Sequence, residues 1–381
     1  MSQPEKHGVP DTTPAIVATA LNGEFQMQDL SLTPLQEDEA LVRIAAVGIC
    51  HTELSILNGT IPSAFPRVLG HEGAGTIVST GPSVPASFAP GAKVLLSFSH
   101  CAECGECKEG HPGYCDRAPD LVWEGRRADG SLTYWKNGQS AIRGGFFGQS
   151  SFAKYTVVHK SSMVKVPDDT DLKLLAPLGC GLQTGVGTIV NSLAVGKGTT
   201  VAVFGVGTVG LASVMGAKLK GAGVIIGIDI DDKRLQLARE LGATHTILAD
   251  DDGEGQIEQI KEICDGKGVE RALDTTGIPL VIERMVESLS ARGRAAIVGC
   301  PSPGKRASVD VVRFLNKGKQ LVGAVEGDCV SSEFIPFMIE QHAAGNLPIE
   351  RITKQYKAED FMTAIEDMKA GRTVKPILVW D

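Results

Sequence analysis

One segment leaves the chain few folds to adopt. Thr200-Val201-Ala202-Val203-Phe204 is a continuous apolar strand, Gly205-Val206-Gly207-Thr208-Val209-Gly210 follows it, and a helical run from Leu211 to Leu219 comes next. A second buried strand, from Gly223 to Ile228, ends at Asp229. A Gly-x-Gly-x-x-Gly run alone is weakly informative. Between a strand and a helix, with an acid about 20 residues on, it specifies a dinucleotide-binding turn. The glycines Gly205, Gly207 and Gly210 admit a tight turn. Val206 and Val209 line it, and the pyrophosphate is expected at the positive helix N-terminus. Asp229 is expected to accept hydrogen bonds from the adenosine ribose hydroxyls. Its charge would repel a 2′-phosphate, so NAD is favoured over NADP; the plainer reading is a solvated acid at a strand end.

The alternation continues beyond Asp229. Helical stretches at 234–241, 256–264 and 280–289 separate strands at 246–248, 271–274 and 294–298, and 319–325 supplies a sixth. Six parallel strands with intervening helices form one doubly wound α/β domain. With 381 residues a second domain is expected. The region from Ala15 to about Val166 is β-rich, with Gly- and Pro-rich turns. Residues from Met1 to about Thr13 are polar and aperiodic, a loosely held tail. The net charge of −8 argues against nucleic acid or an anionic membrane as partner. No apolar run of membrane-spanning length is present, so a cytoplasmic protein is the simplest expectation.

Histidine and cysteine carry the remaining chemistry. His71 lies in Val68-Leu69-Gly70-His71-Glu72-Gly73-Ala74-Gly75, Cys50 stands upstream in Gly48-Ile49-Cys50-His51-Thr52, and Cys180 stands downstream in Pro177-Leu178-Gly179-Cys180. A lone buried histidine usually belongs to the core. Two thiolates and one imidazole suit Zn2+, and three protein ligands leave a fourth position open. Cys101, Cys104, Cys107 and Cys115 follow the spacing Cys-x2-Cys-x2-Cys-x7-Cys. Four thiolates close a tetrahedron, so a zinc there is structural. The basic flank of a nucleic-acid-binding finger is missing. Cys264, Cys300 and Cys329 read as reduced thiols.

The order Cys…Gly-His-Glu…Cys, the run Gly70-His71-Glu72-x-x-Gly75-x5-Gly81-x2-Val84 and the four-cysteine lobe together resemble zinc-dependent medium-chain alcohol dehydrogenases. The likeness extends from about Ala15 to Trp380. Asp116 to Gly145, a long polar insertion, and Phe146-Phe147-Gly148-Gln149-Ser150-Ser151-Phe152-Ala153 are similar to the benzyl- and allylic-alcohol branch. The resemblance implies a GroES-like catalytic domain over 1–183 and 326–381 and a Rossmann coenzyme domain over 184–325. It implies two zinc ions per chain, one catalytic and one structural, and reversible oxidation of a primary aromatic or allylic alcohol to its aldehyde with hydride passing to NAD+. It also implies a homodimer or homotetramer, and 313–325 reads as a strand-rich segment that could form the dimer edge.

Roles follow by the same resemblance. Thr52 hydrogen-bonds the substrate oxygen and passes its proton on, although a threonine there also caps a helix. Glu72 stands behind the zinc. His51 and Lys375 are placed at the pyrophosphate, Lys233 at the adenosine ribose, and Thr184 and Val298 beside the nicotinamide half. Ile61, Phe98 and Cys300 are candidate pocket walls and read equally well as core. Two positions depart from the pattern. Ser55 stands where many relatives have the histidine that receives the proton, so Ser55 is at most a hydrogen-bonding station. Glu53 stands where an aspartate orients the zinc histidine. The alternative functions are a reductase of α,β-unsaturated carbonyls, whose zinc-free relatives lack these ligands, and a non-catalytic relative.

Overall fold

The computed structural model describes residues 11–127, 129–136, 138, 140–250 and 254–381. Most of the expected N-terminal tail, residues 1–10, lies outside them. Cα proximity groups the chain into 1–180 with 331–336 and 349–381, and a second unit of 181–330 with 337–348. The sequence placed the corresponding boundaries at 183/184 and 325/326.

The first unit is built on two sheets among the described residues. The larger runs Met163–Lys165, Lys93–Leu96, Gly73–Thr80, Glu39–Gly48, Lys375–Val379 and Thr353–Lys357, with Tyr155–His159 also pairing Glu39–Gly48. The C-terminal strand lies antiparallel to Glu39–Gly48, with Ile377 opposite Gly48. Alternation explains the strand: Leu41 is buried beside Val42 while Arg43 points to solvent, and both sheet faces are covered over most of its length. The smaller sheet runs Arg67–Val68, Thr13–Ala18, Phe25–Leu32, Tyr134–Lys136 and Ser140–Ile142. The stretch read as a polar insertion therefore contains a hairpin. Tyr134 is fully buried and donates its hydroxyl to Thr156 Oγ1 at 2.7 Å, which draws the segment onto the sheet.

The second unit is the doubly wound sheet expected from the sequence. Its strands lie in the order His245–Leu248, Val224–Asp229, Thr200–Phe204, Val269–Asp274, Leu289–Ile297 and Gln320–Gly323, all parallel. Buried Ile226, Ile228, Phe204, Ala272 and Ala295 form its core with Met285 and Ile260 from the flanking helices. One local expectation fails. Val311–Lys317 is a helix rather than strand, capped by Asp310, whose carboxylate accepts from Arg313 N at 3.0 Å. Only Gln320–Gly323 of that stretch is strand, and it forms the sheet edge.

Candidate metal centres and nucleotide site

Cys50 sits where the Glu39–Gly48 strand gives way to the His51–Leu57 helix, as the residue capping the helix N-terminus. His71 follows the short Arg67–Val68 strand, and Cys180 follows the Ala176–Gly179 turn. Three segments far apart in sequence thus deliver three donors. One donor atom each from Cys50, His71, Glu72 and Cys180 lies within 4.8 Å of all the others. His71 Nε2 is 3.3 Å from Cys180 Sγ. Bonds of about 2.0–2.3 Å in a tetrahedron separate such donors by roughly 3.5 Å, so the spacing fits zinc.

The surroundings set the charges of these donors. His71 Nδ1 lies 2.5 Å from Glu53 Oε1, and Glu53 Oε2 accepts from Cys50 N at 3.0 Å. The longer side chain at position 53 thus keeps a carboxylate on the histidine. That fixes a proton on Nδ1 and turns Nε2 toward the thiolates. Burial alone would lower the His71 pKa, but Glu53 and Cys50 outweigh it and hold it well above the ordinary value. The Cys50 thiol is held well below its ordinary value, first by the hydrogen bond with Cys180 and, against burial, by the positive charge of Lys375. Metal ligation requires the thiolate.

Glu72 is fully buried, and both its oxygens receive Lys375 Nζ, at 2.8 and 2.9 Å. Lys375 gives a further bond to Ile49 O at 3.0 Å. Burial opposes the ammonium, yet Glu72 holds its pKa above the ordinary lysine value. All three of its hydrogens are thereby used. The expectation of Lys375 as a pyrophosphate cation is corrected: the ammonium is 1 % exposed and locked behind the metal centre. Gly48 makes room for this pair, since a Cβ there would fall 2.0 Å from Glu72 Oε2.

Thr52 Oγ1 lies 3.5 Å from Cys50 Sγ, on the same helix as exposed His51 and half-buried Ser55. Phe98 belongs to the core of this unit and Ile61 packs against that core. Cys300 is exposed on the loop after Leu289–Ile297. An aromatic wall not singled out in the sequence stands against the histidine. The Phe147 ring stacks on His71 with centroids 4.4 Å apart, Phe146 meets His71 edge-on at 5.4 Å, and Trp123 abuts Phe146 and Phe147 at 6.0 and 5.2 Å. Gln149 anchors the same loop, donating to His71 O and Ser97 O at 2.9 Å and accepting from Gly73 N at 3.1 Å.

The second cluster is Cys101, Cys104, Cys107 and Cys115, again within 4.8 Å of one another. Cys101 Sγ and Cys107 Sγ are 3.9 Å apart, close to the ~3.8 Å edge of a zinc–thiolate tetrahedron. Backbone N–H groups of Glu103 and Cys104 point at Cys101 Sγ, at 3.4 and 3.3 Å. They pull the Cys101 thiol down to about 6.

In the other unit Gly205 adopts φ +85° and the Thr208–Leu219 helix begins three residues later. A Cβ on Gly210 would lie 1.9 Å from Gly205 O, so the turn closes only on glycine. Asp229 Oδ2 accepts from Val206 N at 2.8 Å and Oδ1 from Asp231 N at 3.1 Å. Thr275 Oγ1 donates to Gly205 O at 2.8 Å. Val298 is half-buried and donates its N–H to Asp274 O at 2.9 Å. Lys233 is exposed, and the cation beside Asp229 is Arg234, at 3.9 Å. The Asp231 side chain starts the helix at Asp232, which turns position 234 rather than 233 back toward the strand end. Thr184 is buried in this unit and hydrogen-bonded to Glu326.

Comparison with known proteins completes the picture. Residues 36–168 match the family described as alcohol dehydrogenase GroES-like domain, and residues 208–343 match that described as zinc-binding dehydrogenase. The chain is 38% identical over 367 residues to geraniol dehydrogenase of Castellaniella defragrans, covering 96% of this chain and 97% of that one. Among solved structures, an alcohol dehydrogenase zinc-binding domain protein from Burkholderia ambifaria superposes with a TM-score of 0.93 at 40% identity, covering 97% and 98% of the two chains. Benzyl alcohol dehydrogenase from Acinetobacter calcoaceticus superposes with a TM-score of 0.92 at 36% identity, covering 98% and 100%.

Proposed function

The chain belongs to the zinc-dependent alcohol dehydrogenases, and from that premise we propose that it oxidises primary alcohols whose carbinol carbon adjoins a π system, passing hydride to NAD+. The observation that carries the reading is the convergence of Cys50, His71 and Cys180 beside Thr52 and an aromatic wall. The relatives named for geraniol and benzyl alcohol share that substrate chemistry, an allylic or benzylic carbinol. Phe147, Phe146 and Trp123 offer flat apolar faces and edges suited to a planar group.

Cys50, His71 and Cys180 hold the catalytic zinc in this reading, and Cys101, Cys104, Cys107 and Cys115 hold the structural one. When bound, the catalytic metal supplies a positive charge that lowers the pKa of an alcohol hydroxyl at the open position. Thr52 accepts that proton at its Oγ1 and releases it to water, with Ser55 a station beside it. Glu53 holds the His71 tautomer, and Glu72 with Lys375 balances charge behind the thiolates. Loss of hydride from the carbinol carbon to NAD+ then leaves aldehyde, NADH and one proton. Gly205, Val206, Gly207, Val209 and Gly210 receive the pyrophosphate, aided by His51. Asp229 takes the adenosine ribose, with Arg234 beside it, and Thr184 and Val298 flank the nicotinamide half.

The domain reading is a catalytic unit carrying both zinc sites and a coenzyme unit carrying the glycine turn. A homodimer is part of the same proposal. Val311, Val312 and Leu315 are 66–74% exposed on one short helix, next to the edge strand Gln320–Gly323. Apolar residues beside an open edge favour pairing with a second copy. None of the described helices is long and apolar enough to cross a membrane, and the site proposed is cytoplasmic. The test is a panel of ethanol, benzyl, cinnamyl, allylic terpene and secondary alcohols with NAD+ and NADP+. The expected result is highest kcat/KM on the benzylic and allylic primary alcohols with NAD+. Equal rates on ethanol, or a preference for NADP+, would overturn it.

A further inference from the structure

Three successive residues of the second unit take left-handed backbone angles: Glu326 at φ +50°, Gly327 at +69° and Asp328 at +52°. Two are not glycine, and each such residue costs on the order of 1–3 kcal/mol. The turn is held in place. Asn191 Nδ2 donates to Gly327 O at 3.1 Å and Asp328 O at 3.0 Å, and a Cβ on Gly187 would lie 2.8 Å from Gly327 O. The strain presents the Glu326 carboxylate, which is 7% exposed, to the Gly181–Gly187 helix. Its Oε2 accepts from Gln183 Nε2 at 3.2 Å and Thr184 Oγ1 at 3.3 Å. That helix packs on the start of the glycine-turn helix, where Ser213 Oγ donates to Gly185 O at 3.1 Å and a Cβ on Gly185 would lie 2.3 Å from Val209 O. Thr184 and Glu326 thus stand about one residue from a helix whose N-terminus faces the dinucleotide pyrophosphate. The reach of the nicotinamide half from that point includes them.

We propose that Glu326 is a positioning residue for the nicotinamide half of the cofactor, its buried carboxylate fixing the Thr184 hydroxyl and favouring the oxidised, cationic ring over the neutral reduced one. The inference rests on the reading of this unit as the NAD site. A carboxylate held by two neutral donors keeps its charge uncompensated locally. In a partly buried setting a unit charge several ångströms from a cationic ring changes affinity by about tenfold or more. The oxidised and reduced cofactors differ by that one charge. A purely structural role for Glu326 would weaken both equally.

The test uses the zinc-loaded enzyme and the variant Glu326→Gln, which keeps the size and one acceptor and removes the charge. Dissociation constants for NAD+, NADH and ADP-ribose are read by calorimetry. The expected result is NAD+ weakened about tenfold, with NADH and ADP-ribose within about threefold of the unmodified protein. Equal weakening of NAD+ and NADH, or no change in either, overturns the proposal. Failure of the unmodified protein to bind ADP-ribose would overturn the NAD reading itself. Thr184→Val keeps the inference falsifiable if Glu326→Gln does not fold. It removes the hydroxyl and leaves the carboxylate, so the ratio of NAD+ to NADH constants should stay within about threefold; a tenfold change in that ratio would assign the effect to the hydroxyl and not the charge.

Discussion

Glu53→Asp is the most informative single change at the catalytic centre. Glu53 is fully buried on the His51–Leu57 helix, and its two oxygens reach His71 Nδ1 at 2.5 Å and Cys50 N at 3.0 Å. Removing one methylene withdraws the carboxylate by roughly 1.3–1.5 Å, the projected length of one C–C bond. With the helix anchored by buried Ile56, the contact to Nδ1 would open to about 4 Å, beyond hydrogen-bond range. A hydrogen bond to a charged group contributes about 1.5–3 kcal/mol. Loss of the carboxylate behind a zinc histidine typically costs about 10–100-fold in metal affinity, or 1.4–2.8 kcal/mol, and the two figures agree. The assay is competition for the catalytic zinc by a chromophoric chelator at pH 7.5, with Glu53→Gln as the size-matched control. Zinc affinity within twofold of the unmodified protein in Glu53→Asp would refute the reasoning, because it would show that the Nδ1 contact is not what orients His71.

Further outcomes follow from the same geometry. Cys107→Ser should release one of two zinc ions and lower the melting temperature, since closed thiolate sites contribute folding free energy; metal analysis with calorimetric melting checks it. Arg67→Met should leave stability unchanged or raise it by about 1–3 kcal/mol, because the Arg67 guanidinium is buried over the Phe146 ring, with burial and Arg143 pushing it down to about 10; a loss above about 2 kcal/mol in urea unfolding would contradict this. His159 is held below its ordinary pKa by burial, against the pull of Asp38, so the folded state favours neutral imidazole. Its contribution is present above about pH 6.5 and is lost as the pH falls through the lowered folded value, and the difference in unfolding midpoint between the unmodified protein and His159→Gln should shift between pH 7.5 and 5. Thr52→Ala should abolish turnover by at least about 10²-fold with zinc retained, whereas Ser55→Ala should cost under about tenfold; steady-state kinetics from pH 6 to 10 distinguish them.

What the sequence made legible follows from how local each signal is. The glycine turn, its strand and its helix lie within 30 residues, and each reports its own backbone requirement; the doubly wound sheet and the zinc clusters follow from such short-range patterns. The aromatic wall was invisible for the opposite reason. Trp123 meets Phe146 and Phe147 only because the Tyr134–Lys136 and Ser140–Ile142 hairpin folds the insertion back, and that hairpin is announced by nothing except a buried tyrosine. Lys375 was misplaced because a cation near the C-terminus carries no mark of its partner; Glu72 lies 303 residues away. The Val311–Lys317 helix was read as strand because Val311, Val312 and Leu315 are apolar yet exposed, so their spacing reports no core face. Lys233 was preferred to Arg234 by resemblance alone, and helix phase, set by the Asp231 cap, decided otherwise.

The catalytic centre and the short His51–Leu57 helix are one construction. A helix start leaves backbone N–H groups without partners, and a glutamate three residues past the cap commonly satisfies one. Here Glu53 does so at Cys50 N, and its other oxygen is the one that holds His71. The cap residue is itself a metal donor, and the positive end of the helix favours its thiolate. Thr52 lies between the two, its hydroxyl 3.5 Å from Cys50 Sγ. Donor, proton acceptor and histidine clamp thus share seven residues of backbone, and the larger sheet fixes that backbone by ending at Gly48 and receiving Ile49 N on Pro376 O at 2.9 Å. A substitution that frays this helix would move all three roles together, whereas one in the loop bearing His71 would disturb a single ligand. Glutamate at position 53 is therefore a working solution on a helix that begins at the metal, and its length lets one side chain close both the cap and the histidine.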